Sequence, residues 1–166
     1  MGVHKFDEKM DITYYEHYKA SSAKVVSLIR KLEATLGKGK AHEIISEWAE
    51  KNVVDDLKRV MEEEKKAIES FEDVKVLLRR WVADLDKNME SVSITEETSN
   101  KSLCIVKECI HAKIFNDLGA PDLGYLLYCK HDFPATPVIH PKMRLRRNKT
   151  VMEGHECCNF EYYWEE

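Results

Sequence analysis

Cys129, His131, Asp132, His140, His155, Glu156, Cys157 and Cys158 crowd into the carboxy-terminal stretch of the chain, beside a dense Lys and Arg cluster from Lys142 to Lys149. Thiols, imidazoles, carboxylates and cations so concentrated suit a reactive or ligand-binding site, with nucleophilic, acid–base and anion-binding chemistry all within reach of the residue types present. Free cysteine is also among the most commonly buried small residues, so a plain packing role stands beside that reading.

Two spacings bear on a metal. Cys109 with His111, and Cys129 with His131, repeat a Cys-x-His pattern, and Cys158 adds another thiol. Zinc accepts cysteine and histidine at tetrahedral positions, but one intervening residue is shorter than the roughly two to four usual between ligands. Zinc on Cys109, Cys129, His131 and Cys158 is therefore the alternative to an expectation of no cofactor.

The elements that must position these groups can be read from periodicity. From about Ile12 to Asp86 apolar residues repeat with helical period. Tyr14, Tyr18, Val25, Leu28, Leu32 and Leu36 form a first stripe, stopped by Gly37 and Gly39. A second segment from about Ala41 to Ile68 carries Ile45, Trp48, Leu57, Val60 and Met61, with an interruption near Lys51 and Asn52. A third starts at Ser70, whose side chain caps a helix with Asp73 three residues on, and carries Val74, Leu77, Leu78, Trp81 and Leu85. The run Glu62 to Lys66 reads as a solvated helix face, and His4, His17 and His42 as surface or helix residues without a special task.

After Asp86 the pattern changes. Ser91 to Thr95 alternates as a half-buried strand, Glu96 to Ser102 turns, and Leu103 to Ile110 is a second strand. A helix from about His111 to Leu118 ends at Gly119, and Pro121 opens another through Tyr128. Pro134, Pro137 and Pro141 make an irregular connection. Lys142 to Met152 and Cys158 to Trp164 form a final hairpin with Gly154 in its turn. The expected fold is α+β, with N-terminal amphipathic helices packed on one face of a four-stranded antiparallel sheet. A single domain spans the chain, with a helical half over 1–88 and a sheet and site half over 89–166.

Strand alternation then assigns faces. Cys158, Phe160, Tyr162 and Trp164 share the apolar face, and neighbouring Cys157 points the other way. Met143, Leu145, Arg147, Lys149 and Val151 have inward parity, whereas Lys142, Arg144 and Arg146 face out. An inward guanidinium must be paired, because an isolated buried charge is costly. Either Glu153, Glu108 or Asp132 satisfies Arg147, or an anionic ligand does, and its planar fork suits a carboxylate held bidentately.

At 166 residues, with 43% hydrophobic and 34% charged residues and only four prolines, the chain reads as one globular unit able to bury a core without staples. A net charge of −4 gives no general reason for nucleic acid as a partner. The basic run lacks the interleaved aromatics of a nucleic-acid strand, so none is expected. Met1 to Met10 is polar and charged, unlike a signal peptide, and no apolar run approaches the roughly eighteen residues of a membrane span. A cytoplasmic protein with five reduced cysteines and no membrane partner is the expectation. Exposed hairpin edges suit a homodimer.

The carboxy-terminal pattern resembles a known family. Val106-Lys-Glu-Cys109-Ile-His-Ala112, Leu118-Gly119, Cys129-Lys-His-Asp132, His140-Pro141 and Arg147-Asn-Lys-Thr150-Val-Met-Glu-Gly154-His-Glu-Cys-Cys158-Asn-Phe160 are similar to the L-2-amino-thiazoline-4-carboxylic acid hydrolases, from Val106 to about Tyr162. The family commonly has Gly-Asp-Asp where this chain has Gly154-His155-Glu156, Thr in place of Asn148 and Asp in place of Asn159. The resemblance implies a hydrolase that adds water to the C=N carbon of a 2-amino-thiazoline ring and opens it to N-carbamoyl-L-cysteine. It implies Cys129, Asp132, Cys158 and Cys109 as catalytic candidates, with Asp132 as base or orienter and Cys129 or Cys158 as nucleophile or acid. Arg147, Thr150 and His140 become candidates for binding a small carboxylate-bearing substrate. A thiol near Arg147 should have a lowered pKa and stand out in reactivity. The alternative is a small-molecule-binding, sensor-like domain without catalysis.

Overall fold

The computed structural model describes residues 11–63, 67–87 and 89–165. Met1 to Met10, His4 among them, and Glu64 to Lys66 of the charged run lie outside the described residues. The helices are α1 (Tyr14–Leu36), α2 (Lys38–Glu63), α3 (Phe71–Leu85), α4 (Ile110–Asp117), α5 (Pro121–Gly124) and α6 (Asp132–Ile139), with a π-helical turn over Tyr125–Cys129. The strands are β1 (Glu90–Glu97), β2 (Lys101–Cys109), β3 (Met143–Arg146) and β4 (Cys158–Trp164). They form one sheet in the order β1-β2-β4-β3, every neighbouring pair antiparallel. The fold is α+β with the N-terminal helices packed on the sheet, as its sequence suggests. Among the described residues no helix is long and apolar enough to cross a membrane.

Helix boundaries follow local chemistry. Thr13 and Glu16 close a reciprocal capping box at the start of α1, and Ser70 with Asp73 does the same for α3. Gly37, at φ +81°, is the whole break between α1 and α2; Gly39 does not stop a helix but lies in the first turn of α2. No interruption occurs at Lys51 and Asn52, because α2 runs unbroken to Glu63.

The buried stripe of α1 is rotated from the expected one. Ser22 and Ile29 are buried, flanked by half-buried Tyr15, Tyr18 and Val26, while Leu28 is 61% exposed and Tyr14, Val25 and Leu36 are exposed too. Val25/Leu28 and Val26/Ile29 fit the helical period equally well, so the partner surface and not the period chooses. Trp48 likewise faces solvent, at 59% exposure.

The three prolines do not make an irregular connection throughout. Pro134 and Pro137 lie in α6. Pro134 is in the first turn, where a backbone N–H has no helical acceptor to lose. The final hairpin is also wider than expected, since β3 ends at Arg146 and residues 147–157 bridge to β4 through a 3-10 turn at Val151–Glu153. Asn159 of β4 accepts from the backbone N–H groups of Asn148 (3.2 Å) and Lys149 (2.9 Å), in place of a continuing ladder. Gly154 ends the 3-10 turn at φ +87°.

Sheet register places the site. Val106, Cys104 and Ser102 of β2 stand opposite Cys158, Phe160 and Tyr162 of β4, and all six share the face toward the helices. Between β1 and β2 the register skips Lys107, pairing Ser91 with Glu108 and Val92 with Val106. This bulge reverses the parity of β2 beyond it. Cys109 therefore turns inward opposite Glu90, while Lys107 and Glu108 are exposed.

Two apolar clusters hold the layers together. Ile29, Ala112, Phe115, Leu123 and Met152 centre one, with Cys109, Tyr128 and Cys129 on its edge. Phe71, Val74, Leu77, Leu78, Ile139 and Met143 form the other, with Tyr162 on its edge. Gly124 keeps α5 against the 3-10 turn: a Cβ there would lie 2.5 Å from Met152 Sδ and 2.7 Å from Phe115 Cβ.

Candidate active site

A cavity of about 170 Å³ lies between the sheet and the helices. Its chemical groups arrive from separate elements: Glu90 from β1, Cys109 from the bulged end of β2, His111 from α4, Cys129 from the π-helical turn, Asp132 from the first residue of α6, Arg147 from the exit of β3 and Cys158 from the start of β4. Val106, Tyr128 and Phe160 complete the wall. All four residues proposed as catalytic on the family resemblance, together with Arg147, thus border one space.

Arg147 points inward with 2% of its side chain exposed. Of its possible partners, the structure pairs it with Asp132 and not with Glu153 or Glu108. Its Nη1 donates to Asp132 Oδ2 and its Nη2 to the Cys129 carbonyl at 2.8 Å. The guanidinium carbon lies 5.1 Å from the ring centroids of both Phe133 and Phe160. The fork has five N–H groups, so two bonds leave donors for an anion entering the cavity.

Burial shifts the carboxyls of this cavity toward their protonated forms. Burial raises Asp132 to about 6, against the lowering effect of Arg147. Its side chain keeps 35% of its surface open and lines the cavity. Glu90 is also raised by burial, against a small lowering by its hydrogen bond from Cys109, and an ionised Glu90 in turn disfavours the charge of Asp132. Glu90 Oε1 accepts from Cys109 Sγ at 3.5 Å.

The thiols are not activated. Burial pushes Cys109 up to about 12, and it pushes Cys129 and Cys158 up as well. Arg147 does favour the thiolates of Cys129 and Cys158, as expected, but desolvation outweighs it. The expectation of one selectively reactive thiol is therefore corrected. Cys158 Sγ instead accepts from the Val151 backbone N–H at 3.2 Å.

His111 belongs to a polar network on the opposite wall. The Tyr18 hydroxyl lies 2.8 Å from His111 Nδ1 and donates to the Tyr128 hydroxyl at 2.9 Å. The Tyr128 ring stacks on the imidazole with centroids 4.1 Å apart. Burial lowers His111 to about 4, so it is neutral at physiological pH.

Other candidates lie elsewhere. Thr150 is buried, but its hydroxyl accepts from Glu153 N at 3.1 Å and donates to Glu153 Oε2 at 2.7 Å, capping the 3-10 turn outside the cavity wall. His140 stacks on Trp164 at 4.3 Å, and its Nδ1 accepts from Lys142 N. Neither lines this cavity. His131 is buried with Nε2 2.6 Å from the Leu126 carbonyl and is absent from the cavity wall.

Among the described residues, the metal-capable donors within 4.8 Å of one another in a group of three are Glu33, His42 and Asp122; Cys109, Cys129, His131 and Cys158 make no such group. Arg30 and Lys38 already bind the carboxylates of that triad, and His42, expected to be idle, lies 2.6 Å from Glu33. Of the outward cations, Arg144 pairs with Glu165, and Arg146 pairs with Glu161 and lies over the Tyr163 ring.

Sequence reasoning missed Glu90 and the Tyr18 and Tyr128 hydroxyls. Glu90 precedes the alternating run that marks β1, and only the bulge in β2 makes it a partner of Cys109. Tyr18 looked like a stripe residue and Tyr128 like the end of a helix, and nothing in their spacing joins them to His111.

A family model described as L-2-amino-thiazoline-4-carboxylic acid hydrolase matches residues 15–162, so the likeness takes in the helical half as well as the Val106 to Tyr162 stretch. No curated protein matches the chain by sequence. Among solved structures, the phenol-responsive sensory domain of the transcription activator PoxR, crystallised with phenol, aligns at a TM-score of 0.52 and 13% identity, over 95% of this chain and 78% of that one. At that identity the likeness is one of fold.

Proposed function

Because this chain belongs to the L-2-amino-thiazoline-4-carboxylic acid hydrolase family, we propose that it is a hydrolase that opens a small cyclic C=N-containing carboxylate by adding water. The observation that carries this reading is the convergence of Arg147, Asp132 and Glu90 on one cavity of about 170 Å³. A 2-amino-thiazoline carboxylate bears an anion at one end and a basic amidine at the other, and this cavity offers a cation and two carboxyls.

The chemistry follows from charge. The substrate carboxylate takes donors of Arg147 not engaged by Asp132 and the Cys129 carbonyl. The amidinium lies against Glu90 and Asp132, and its positive charge favours their ionised forms. Glu90 takes a proton from water as the oxygen bonds to the C=N carbon, giving a tetrahedral adduct. The bond from that carbon to sulfur then breaks, Glu90 returns its proton to the departing sulfur, and the adduct hydroxyl gives its proton to Asp132 as the C=O forms. Asp132 releases that proton to solvent, which accounts for the one carried in by the amidinium. This route needs no thiolate and agrees with the raised thiols of Cys109, Cys129 and Cys158.

Those same protonated thiols favour the second reading, a small-molecule-binding domain without turnover, for which the phenol-responsive fold relative is an analogy. Incubation with L-2-amino-thiazoline-4-carboxylate, followed by chromatography for N-carbamoyl-L-cysteine, separates the two. Product is expected, and Glu90→Gln should lower kcat by about 10²-fold or more while the circular dichroism spectrum is unchanged. Saturable binding without product would overturn the hydrolase in favour of the binding domain.

A further inference from the structure

Beside the candidate site, under α3, lies a second chamber of about 160 Å³. Glu90, Val106, Asp132 and Phe160 line both spaces, so the two adjoin across a shared wall. Away from that wall the second chamber is bounded by Leu78, Trp81, Val82 and Leu85 of α3 and by Val92 and Cys104 of the sheet, with Tyr162 adding one hydroxyl. The amino-terminal part of the α3 stripe, Val74, Leu77 and Leu78, is buried in a packed cluster. Farther along, Trp81 and Val82 are only half-buried over the short side chain of Val92, and the gap opens there.

The first cavity alone is smaller than the roughly 300 Å³ at which ligand pockets usually begin, and the second supplies the missing volume. Polarity is divided along this length. Arg147 lies at one end, Asp132 and Glu90 stand on the shared wall, and the far wall is hydrocarbon and indole apart from the Cys104 thiol and the Tyr162 phenol, a lining that holds water poorly and favours an apolar occupant. From this juxtaposition we infer that the site takes ring carboxylates bearing an apolar arm, aryl or alkyl, with the charged ring at Arg147 and the arm in the chamber beneath α3. The inference rests on the hydrolase reading of the first cavity and extends it to the substrate class.

Stopped-flow tryptophan fluorescence of the wild-type protein with L-2-amino-thiazoline-4-carboxylate and with its 2-benzylamino derivative, read in the binding phase before turnover, tests the idea. The benzyl compound is expected to bind at least about tenfold more tightly, because its ring leaves water for an apolar chamber. Val82→Trp, and Val92→Phe as a second way to fill the chamber, should abolish that advantage while changing the affinity of the parent compound by no more than about twofold. Equal or weaker binding of the benzyl compound by the wild type, or an advantage that survives in a folded filled variant, overturns the apolar arm and leaves the hydrolase reading standing. Failure of both compounds to bind overturns the two together.

Discussion

Replacing Arg147 with methionine tests the centre of this site, because it removes the guanidinium while keeping much of the hydrocarbon that packs between Phe133 and Phe160. Taking one partner from a buried ion pair costs about 3–5 kcal/mol when the other charge is left uncompensated. Asp132 keeps 35% of its side chain open, so a cost discounted below that range, about 2–3 kcal/mol, is expected at pH 8 after allowance for screening. The pH dependence carries the stronger test. Asp132 is raised in the folded protein from 3.8 to about 6, so its contribution to stability is fully present below 3.8 and is lost as pH rises through 6. Without Arg147 the carboxyl rises further and the loss at high pH deepens. At pH 5, where Asp132 is protonated, the substitution should cost only about 1 kcal/mol, the scale of lost hydrogen bonds. Urea unfolding at pH 5 and pH 8 measures both, and adding Asp132→Asn should restore at least about 1 kcal/mol at pH 8. An equal cost at the two pH values, or strict additivity in the double variant, would refute a buried pair that governs this cavity.

Other expectations follow from single contacts. Gly124→Ala should destabilise the protein by about 1–3 kcal/mol in urea unfolding, because the new Cβ meets Met152 Sδ at 2.5 Å and Phe115 Cβ at 2.7 Å; an unchanged midpoint would show that α5 and the 3-10 turn separate freely. Mass-spectrometric counting of iodoacetamide adducts at neutral pH should find Cys109 labelled far more slowly in the folded protein than after denaturation. A thiol at about 12 has roughly three orders of magnitude less thiolate than a free cysteine. A rapid adduct at Cys129 or Cys158 would restore the nucleophile that burial argues against. His111, lowered from 6.5 to about 4, contributes stability above 6.5 that is lost as pH falls through 4, at most about 3 kcal/mol. His111→Phe should flatten that part of the acid unfolding curve, and an unaltered profile would place the acid sensitivity elsewhere.

The sequence determined a good deal by itself. Amphipathic period and the Ser70–Asp73 cap gave α3, alternation gave the sheet, and the parity of β3 and β4 placed Cys158 and Arg147 on the inner face. Motifs in the order Cys129 to Asp132 and then Arg147 to Phe160 carried the family. These features are local, set by the turn of a helix or the pleat of a strand. What they left open was settled by non-local contact. Two stripes of α1 were equally apolar, and the partner surface selected Ile29 over Leu28. Three carboxylates were candidates for Arg147, and the first turn of α6 supplied Asp132. Glu90 became part of the site through a bulge in the neighbouring strand, and the thiols lost their expected reactivity because desolvation outweighs one nearby cation. Register, burial and charge environment depend on which elements meet, and a linear pattern of residue types does not encode that meeting.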